Sequence, residues 1–156
     1  MLPELHRRAL RHVAGCLAST DILWVVTGSA GFALQGVPVE VHDLDIQTDA
    51  AGAYAIAQRF AKHIVQPVSF AVADRIRSHF GVLEIEGLRV ELMGDIAKRR
   101  PDGSWDDPVP LARYRRFVAF DELRIPVLDL AYEAQAYRQL GRLDRAALLE
   151  AFLRER

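Results

Sequence analysis

"VVTGSAGFALQGVPVEVHDLDIQTD", Val25 to Asp49, decides how the chain is read. An apolar, β-branched run breaks at Gly28-Ser29. Asp43 and Asp45 follow, one residue apart, in a segment that again reads as a strand. Residues i and i+2 of a strand project to the same side. Asp43 and Asp45 are therefore expected on one face, with Leu44 and Ile46 on the other. Two adjacent carboxylates repel each other unless something positive lies between them, and a hard divalent cation suits their oxygens. The Gly-Ser turn offers the complementary half. A strand that feeds a helix through glycine exposes backbone N–H groups where phosphate is favoured, Gly28 permits close approach, and Ser29 adds a hydroxyl. A phosphate cradle next to a metal site is equipment for phosphoryl or nucleotidyl transfer. Either half alone is weak, since D-x-D pairs and Gly-Ser turns arise by chance. Their order and spacing favour the functional reading.

Outward from this stretch, the 156 residues suit a single domain over 1–156 with its own core. The chain is 51% apolar and 26% charged, an ordinary globular composition. A net charge of −1 argues against a general nucleic-acid or anionic-membrane binder. The single cysteine, Cys16, excludes an internal disulfide framework and reads as a small buried hydrophobe. No signal peptide and no bilayer-length apolar run is visible, so a cytoplasmic location without membrane contact is expected.

The pattern predicts an amphipathic helix over 2–20 and a buried strand over 22–27. A short helix over 30–36, a strand region over 37–49 and a helix over 50–63 follow, with Asp49 placed to cap the last. A strand is expected over 66–73 and a turn or short helix over 74–79. Residues 80–94 read as a hairpin turning at Glu86-Gly87, 95–110 as loop, and 115–126 as two short pieces around a turn. Two helices split at Gly141 close the chain. The class is α/β (α+β), a mixed sheet flanked by helices with a helical C-terminus.

The segment "TGSAGFALQG…DLDI" resembles the DNA polymerase beta-like nucleotidyltransferase superfamily, which has a strand, Gly-Ser or Gly-Gly, a short helix, then D-x-D or D-x-E on the next strand. The motif covers about residues 22–49, and the strand-helix order extends the likeness to about residue 95. The resemblance implies that Gly28 and Ser29 hold the nucleotide phosphates and that Asp43 and Asp45 ligate Mg²⁺, with Mn²⁺ as the alternative. It also implies a third carboxylate on a later strand. If Glu86-Gly87 is a two-residue turn, Glu84 pairs with Arg89 and reads as half of a surface ion pair, whereas Glu91 faces Val82 and has no obvious partner. Glu91 is the candidate third ligand and base, and Asp95 the fallback.

Arg75 and Arg77 before the hairpin, and Lys98, Arg99 and Arg100 after it, are candidates to screen the β- and γ-phosphates. A solvated surface is the alternative reading for each. Trp105 is either a base-stacking platform or a loop anchor, and His42 reads as a surface residue. The expected activity is transfer of a nucleoside monophosphate from an NTP to a hydroxyl on a small molecule or a protein. The acceptor class stays open between an antibiotic and, for an antitoxin-type enzyme, a partner protein. A nucleotide- or protein-binding module without turnover is the alternative from another class.

Overall fold

The computed structural model describes residues 2–156. Its centre is a mixed seven-stranded sheet in the order β3-β4-β5-β2-β1-β7-β6. The elements run α1 (Glu4–Leu17), β1 (Trp24–Thr27), α2 (Gly28–Leu34), β2 (Leu44–Thr48) and α3 (Ala50–Arg59), followed by a 3₁₀ turn at Ala61–His63. The hairpin strands β3 (Ile64–Val72), β4 (Ile76–Ile85) and β5 (Leu88–Lys98) come next. A single-turn α4 (Leu111–Tyr114) leads into β6 (Arg115–Phe120) and β7 (Leu123–Leu128), and α5 (Leu130–Gln139) and α6 (Leu143–Arg154) end the chain.

β1 is buried at all four positions, because it lies between β2 and β7. It runs antiparallel to β2 and parallel to β7, and β2 runs parallel to β5. Leu44, Ile46, Val90 and Leu92 turn to one face and join Leu10, Leu17, Ile56 and Phe60 in the main core. Asp45 and Gln47 alternate with them and are only half-buried. At β2 one face of the sheet is therefore dry and the other carries polar groups.

The hairpin register is the one the sequence predicts: Ile85 opposite Leu88, Glu84 opposite Arg89, Val82 opposite Glu91. Several boundaries differ. The helix after β1 starts at Gly28, so Gly28 and Ser29 belong to its first turn rather than precede it. Residues 37–43 are irregular, and Asp43 lies one residue ahead of β2 instead of within it. Ile76–His79 extend β4, and 95–98 extend β5, because each is the other's pairing partner. Pro67 falls where the β3–β4 register shifts, as a residue without an N–H should. Cys16 is half-buried, packed against the core rather than within it. Asp49 does cap α3, accepting from Gly52 N–H at 2.7 Å.

Candidate active site

The pairing of three strands brings the acids together. Thr27, the last residue of β1, is the register partner of Asp45, and Asp45 is the partner of Glu91 on β5. Asp43 joins them through Arg89. Its Nε lies 2.9 Å from Glu91 Oε2 and 3.5 Å from Asp43 Oδ2. The Asp45 carboxyl is pushed up to about 7, first by burial and then by the charges of Glu91 and Asp43, against the pull of Arg145 and Arg89. This is what a crowded carboxylate cluster short of positive charge should do.

Two expectations change here. Glu91 does have a partner, Arg89. Arg89 stands opposite Glu84, yet the arginine turns along its own strand to Glu91 and across to Asp43. Two nearby carboxylates, Glu91's mostly buried, hold it better than the single solvated Glu84. Asp95 does not line the crevice. It occupies a left-handed conformation, φ 51°, where β5 is irregular.

Gly28 has φ 67°, and a Cβ there would run into Asp45 Oδ2. Its glycine is needed for the approach of a carboxylate from β2. Ser29 is buried, 6% exposed, and its Oγ accepts from His42 N–H at 3.0 Å. The hydroxyl thus ties α2 to the loop that delivers Asp43, leaving only its own hydrogen to offer. His42 itself is exposed, as expected.

Beside these residues lies Glu133, which sequence reasoning missed. Only 3% exposed, it accepts from Thr27 Oγ1–H and lies near Gly28 N–H, while its Oε2 is buried with no partner. Burial, opposed by the Thr27 hydrogen bond and the nearby Gly28 N–H, pushes its carboxyl up to about 8. A signal existed. Leu130, Glu133, Ala134 and Tyr137 share one helical face, and an acid in the middle of an apolar stripe is out of place unless it has a task.

Thr27, Gly28, Asp45, Glu91, Glu133 and Tyr137 all line one crevice of about 230 Å³ between the sheet and α5. A wider hollow of about 780 Å³ opens at the start of β1, by Leu23 and Arg59, and contains none of them.

Of the basic residues proposed for the triphosphate, Lys98 lines the crevice at its far end, and the others are held away from it. Lys98 is seven residues beyond Glu91, roughly 20 Å along an extended strand. It is buried and donates to Tyr132 Oη at 3.1 Å. Arg75 donates to Leu140 O at 2.9 Å, and Arg100 pairs with Asp106 at 2.8 Å. Arg77 and Arg99 stack on Trp105, with Cζ 4.6 and 5.4 Å from the ring centroid. Trp105 also bridges to Arg99 through the backbone, so it anchors its loop. The arginines whose charges reach Asp45 are Arg89 and Arg145.

Carboxylate oxygens are the right donors for Mg²⁺ or Mn²⁺, and the raised Asp45 marks a place where a cation would be welcome. Among the described residues, however, no three His, Cys, Asp or Glu side chains form a ready cation cage. Arg89 supplies positive charge to Asp43 and Glu91 in its place.

A mixed sheet that carries D-x-D at the head of one strand, next to a helix begun by Gly-Ser, is the architecture of a nucleotidyltransferase-like α/β domain. The chain belongs to the aminoglycoside-2''-adenylyltransferase family, whose model matches residues 9–149. It is 51% identical to a candidate nucleotidyltransferase of known crystal structure from Thermotoga maritima, over 100% of this chain and 97% of that one, with a TM-score of 0.88. The lincosamide antibiotic adenylyltransferase LnuA, solved with lincomycin bound, matches 89% of this chain and 94% of its own at a TM-score of 0.54; at 12% identity the likeness concerns the fold alone. Among curated proteins nothing matches the chain. No helix of the described residues is long and apolar enough to cross a membrane.

Proposed function

We propose that this protein transfers a nucleoside monophosphate from an NTP to a hydroxyl of its acceptor. The observation that carries the reading is the register pairing of Asp45 with Glu91, with Asp43 held to the same arginine. Asp43, Asp45 and Glu91 are the residues that would hold Mg²⁺ or Mn²⁺. The ion, when bound, neutralises charge developing on the α-phosphate. Glu91 takes the proton of the attacking hydroxyl as its oxygen bonds to the α-phosphorus. The bond from that phosphorus to the β-phosphate oxygen breaks, and pyrophosphate leaves. Gly28 marks the end of the crevice where the triphosphate lies, and Ser29 is buried behind it. Gly28 N–H already faces Glu133, and Ser29 Oγ accepts from His42 N–H. The phosphates therefore need further donors.

The names of the family and of LnuA suggest antibiotic acceptors, an aminoglycoside or a lincosamide. The test is transfer of label from α-³²P-NTPs, with Mg²⁺ or Mn²⁺, to a panel of both classes and to proteins from a cell extract. A labelled acceptor made by the wild type and lost in Asp45→Asn is the expected result. A second reading, a nucleotide-binding module without turnover, draws on the Arg89 clamp across Asp43 and Glu91. It predicts NTP binding with no labelled product under any of these conditions.

A further inference from the structure

A nucleotide triphosphate brings several negative charges to a crevice already lined by Asp45, Glu91 and Glu133. Cations must receive it, and Arg89 is committed to Asp43 and Glu91. Arg138, in the last turn of α5, is committed to Glu150 at 2.6 Å. Two arginines at the start of α6 are not. Arg142 lines the crevice, and its Cζ lies 5.1 Å from the Tyr137 ring centroid. Arg145 is one turn on, its Cζ 5.7 Å from the same ring and 5.6 Å from that of Phe32. Phe32 is four residues after Gly28 on α2, so Arg145 stands beside the first turns of that helix. Neither arginine has a carboxylate partner among the described residues. Asp144 lies between them in sequence, and the Arg145 charge reaches both Asp45 and Glu133.

Mounting on an aromatic face fixes a guanidinium without consuming its N–H donors. Two such groups around one tyrosine leave a pair of planar forks open to a polyanion, and forks of this kind match phosphate oxygens bidentately. We infer that Arg145 and Arg142 hold the β- and γ-phosphates of a nucleotide whose α-phosphate faces Asp45. This rests on the nucleotidyl-transfer reading and deepens it. The helical pair at the C-terminus is then the phosphate-binding half of the site, facing the carboxylates of the sheet.

The probe is inorganic tripolyphosphate, titrated calorimetrically in Mg²⁺ into the full chain and its variants, with thermal melts to confirm folding. Arg145→Met and Arg142→Met should each weaken binding about tenfold, and the double variant about a hundredfold, as expected for charge-assisted contacts. Arg145→Lys keeps the charge but loses the fork, and should fall between wild type and Arg145→Met. Arg138→Met, which breaks only the Glu150 pair, should bind like wild type. A folded double variant within about twofold of wild type, or a wild type that binds no tripolyphosphate, overturns the inference. Weakened binding in the variants, combined with no nucleotidyl transfer by wild type, keeps the anion site and rejects the reaction. Unimpaired transfer by the double variant does the reverse.

Discussion

The two ends of β5 carry opposite charge and solve the problem differently. At the Arg89 end, Asp43, Asp45 and Glu91 lie around one arginine, and Asp45 is left so short of positive charge that its carboxyl rises to about 7. At the Lys98 end, Lys98 rests on a tyrosine hydroxyl, and Arg77 and Arg99 both stack on a tryptophan. Between the ends the strand is irregular at Asp95. Beyond that point Ile96 and Lys98 line the crevice that Glu91 and Met93 line before it. A bulge re-aims side chains in this way. One end is left unfinished, short of positive charge around Asp45. The other is settled by its own aromatic and backbone partners. On β5, Lys98 lines the crevice but is tied to Tyr132, so the further cations proposed for an anionic substrate are those of α6.

The largest expected effect is at the unfinished end. Asp45→Asn should lower nucleotidyl transfer by about 10²–10³-fold or more, the scale seen when one electrostatic stabiliser is removed. It should also stabilise the unliganded protein at higher pH. The Asp45 carboxyl rises from 3.8 unfolded to about 7 folded. Between those values the folded chain keeps a proton that the unfolded chain has lost, so stability falls as pH rises and the cost is complete above about 7. Glu133 acts in the same direction up to about 8. Wild type should melt lower near pH 8 than near pH 5. Asp45→Asn should flatten that slope and gain roughly 1–3 kcal/mol near pH 8, after allowance for solvent screening. Parallel melting curves for the two proteins across this range would remove the claim that Asp45 is under-compensated.

Next in size is Gly28→Val. The left-handed backbone disfavours a β-branched residue, and the new side chain would meet the Asp45 carboxyl. A loss of about 2–4 kcal/mol in urea unfolding is expected from strain and overpacking together. Stability close to wild type would mean that the carboxyl can leave Gly28 freely.

The sheet end of the candidate site, as a cluster of neighbouring side chains, was legible because its signals are local. Gly28, Asp43 and Asp45 fall within eighteen consecutive residues, and Glu91 follows from counting back across a two-residue turn. Strand periodicity carried that register correctly to Val82 and Glu91. It could not show the direction of Arg89, because a long side chain chooses among several acids by tertiary position. Nor could it place Lys98 and Arg99, since nothing local fixes where a basic side chain will find its partner. The helical end was illegible for another reason. Glu133 acquires its meaning only when β7 inserts beside β1 and lays α5 against Thr27 and Gly28, more than a hundred residues away. Its position in an apolar stripe was visible, but which residues it would meet was not.

The smallest expected effect is at the settled end of β5, and it tests whether the two ends are separate. Arg99→Ala removes one of the two guanidiniums stacked on Trp105 and a bond to Gly103 O at 3.2 Å. Both partners are on the surface, where a cation–π contact contributes about 0.5–1 kcal/mol. Stability should therefore fall by no more than about 1 kcal/mol, with Arg77 still stacked on the ring. Tripolyphosphate affinity should not change, since Arg99 is eight residues along β5 from Glu91 and roughly 25 Å away on an extended strand. Arg89→Ala provides the contrast. It releases Asp43 and Glu91 together, so Mn²⁺, followed by its paramagnetic signal, should bind the variant more tightly than wild type. If Arg99→Ala weakened tripolyphosphate binding as much as Arg145→Met, the phosphates would be reaching the Lys98 end. The division of β5 into an unfinished and a settled end would then be wrong.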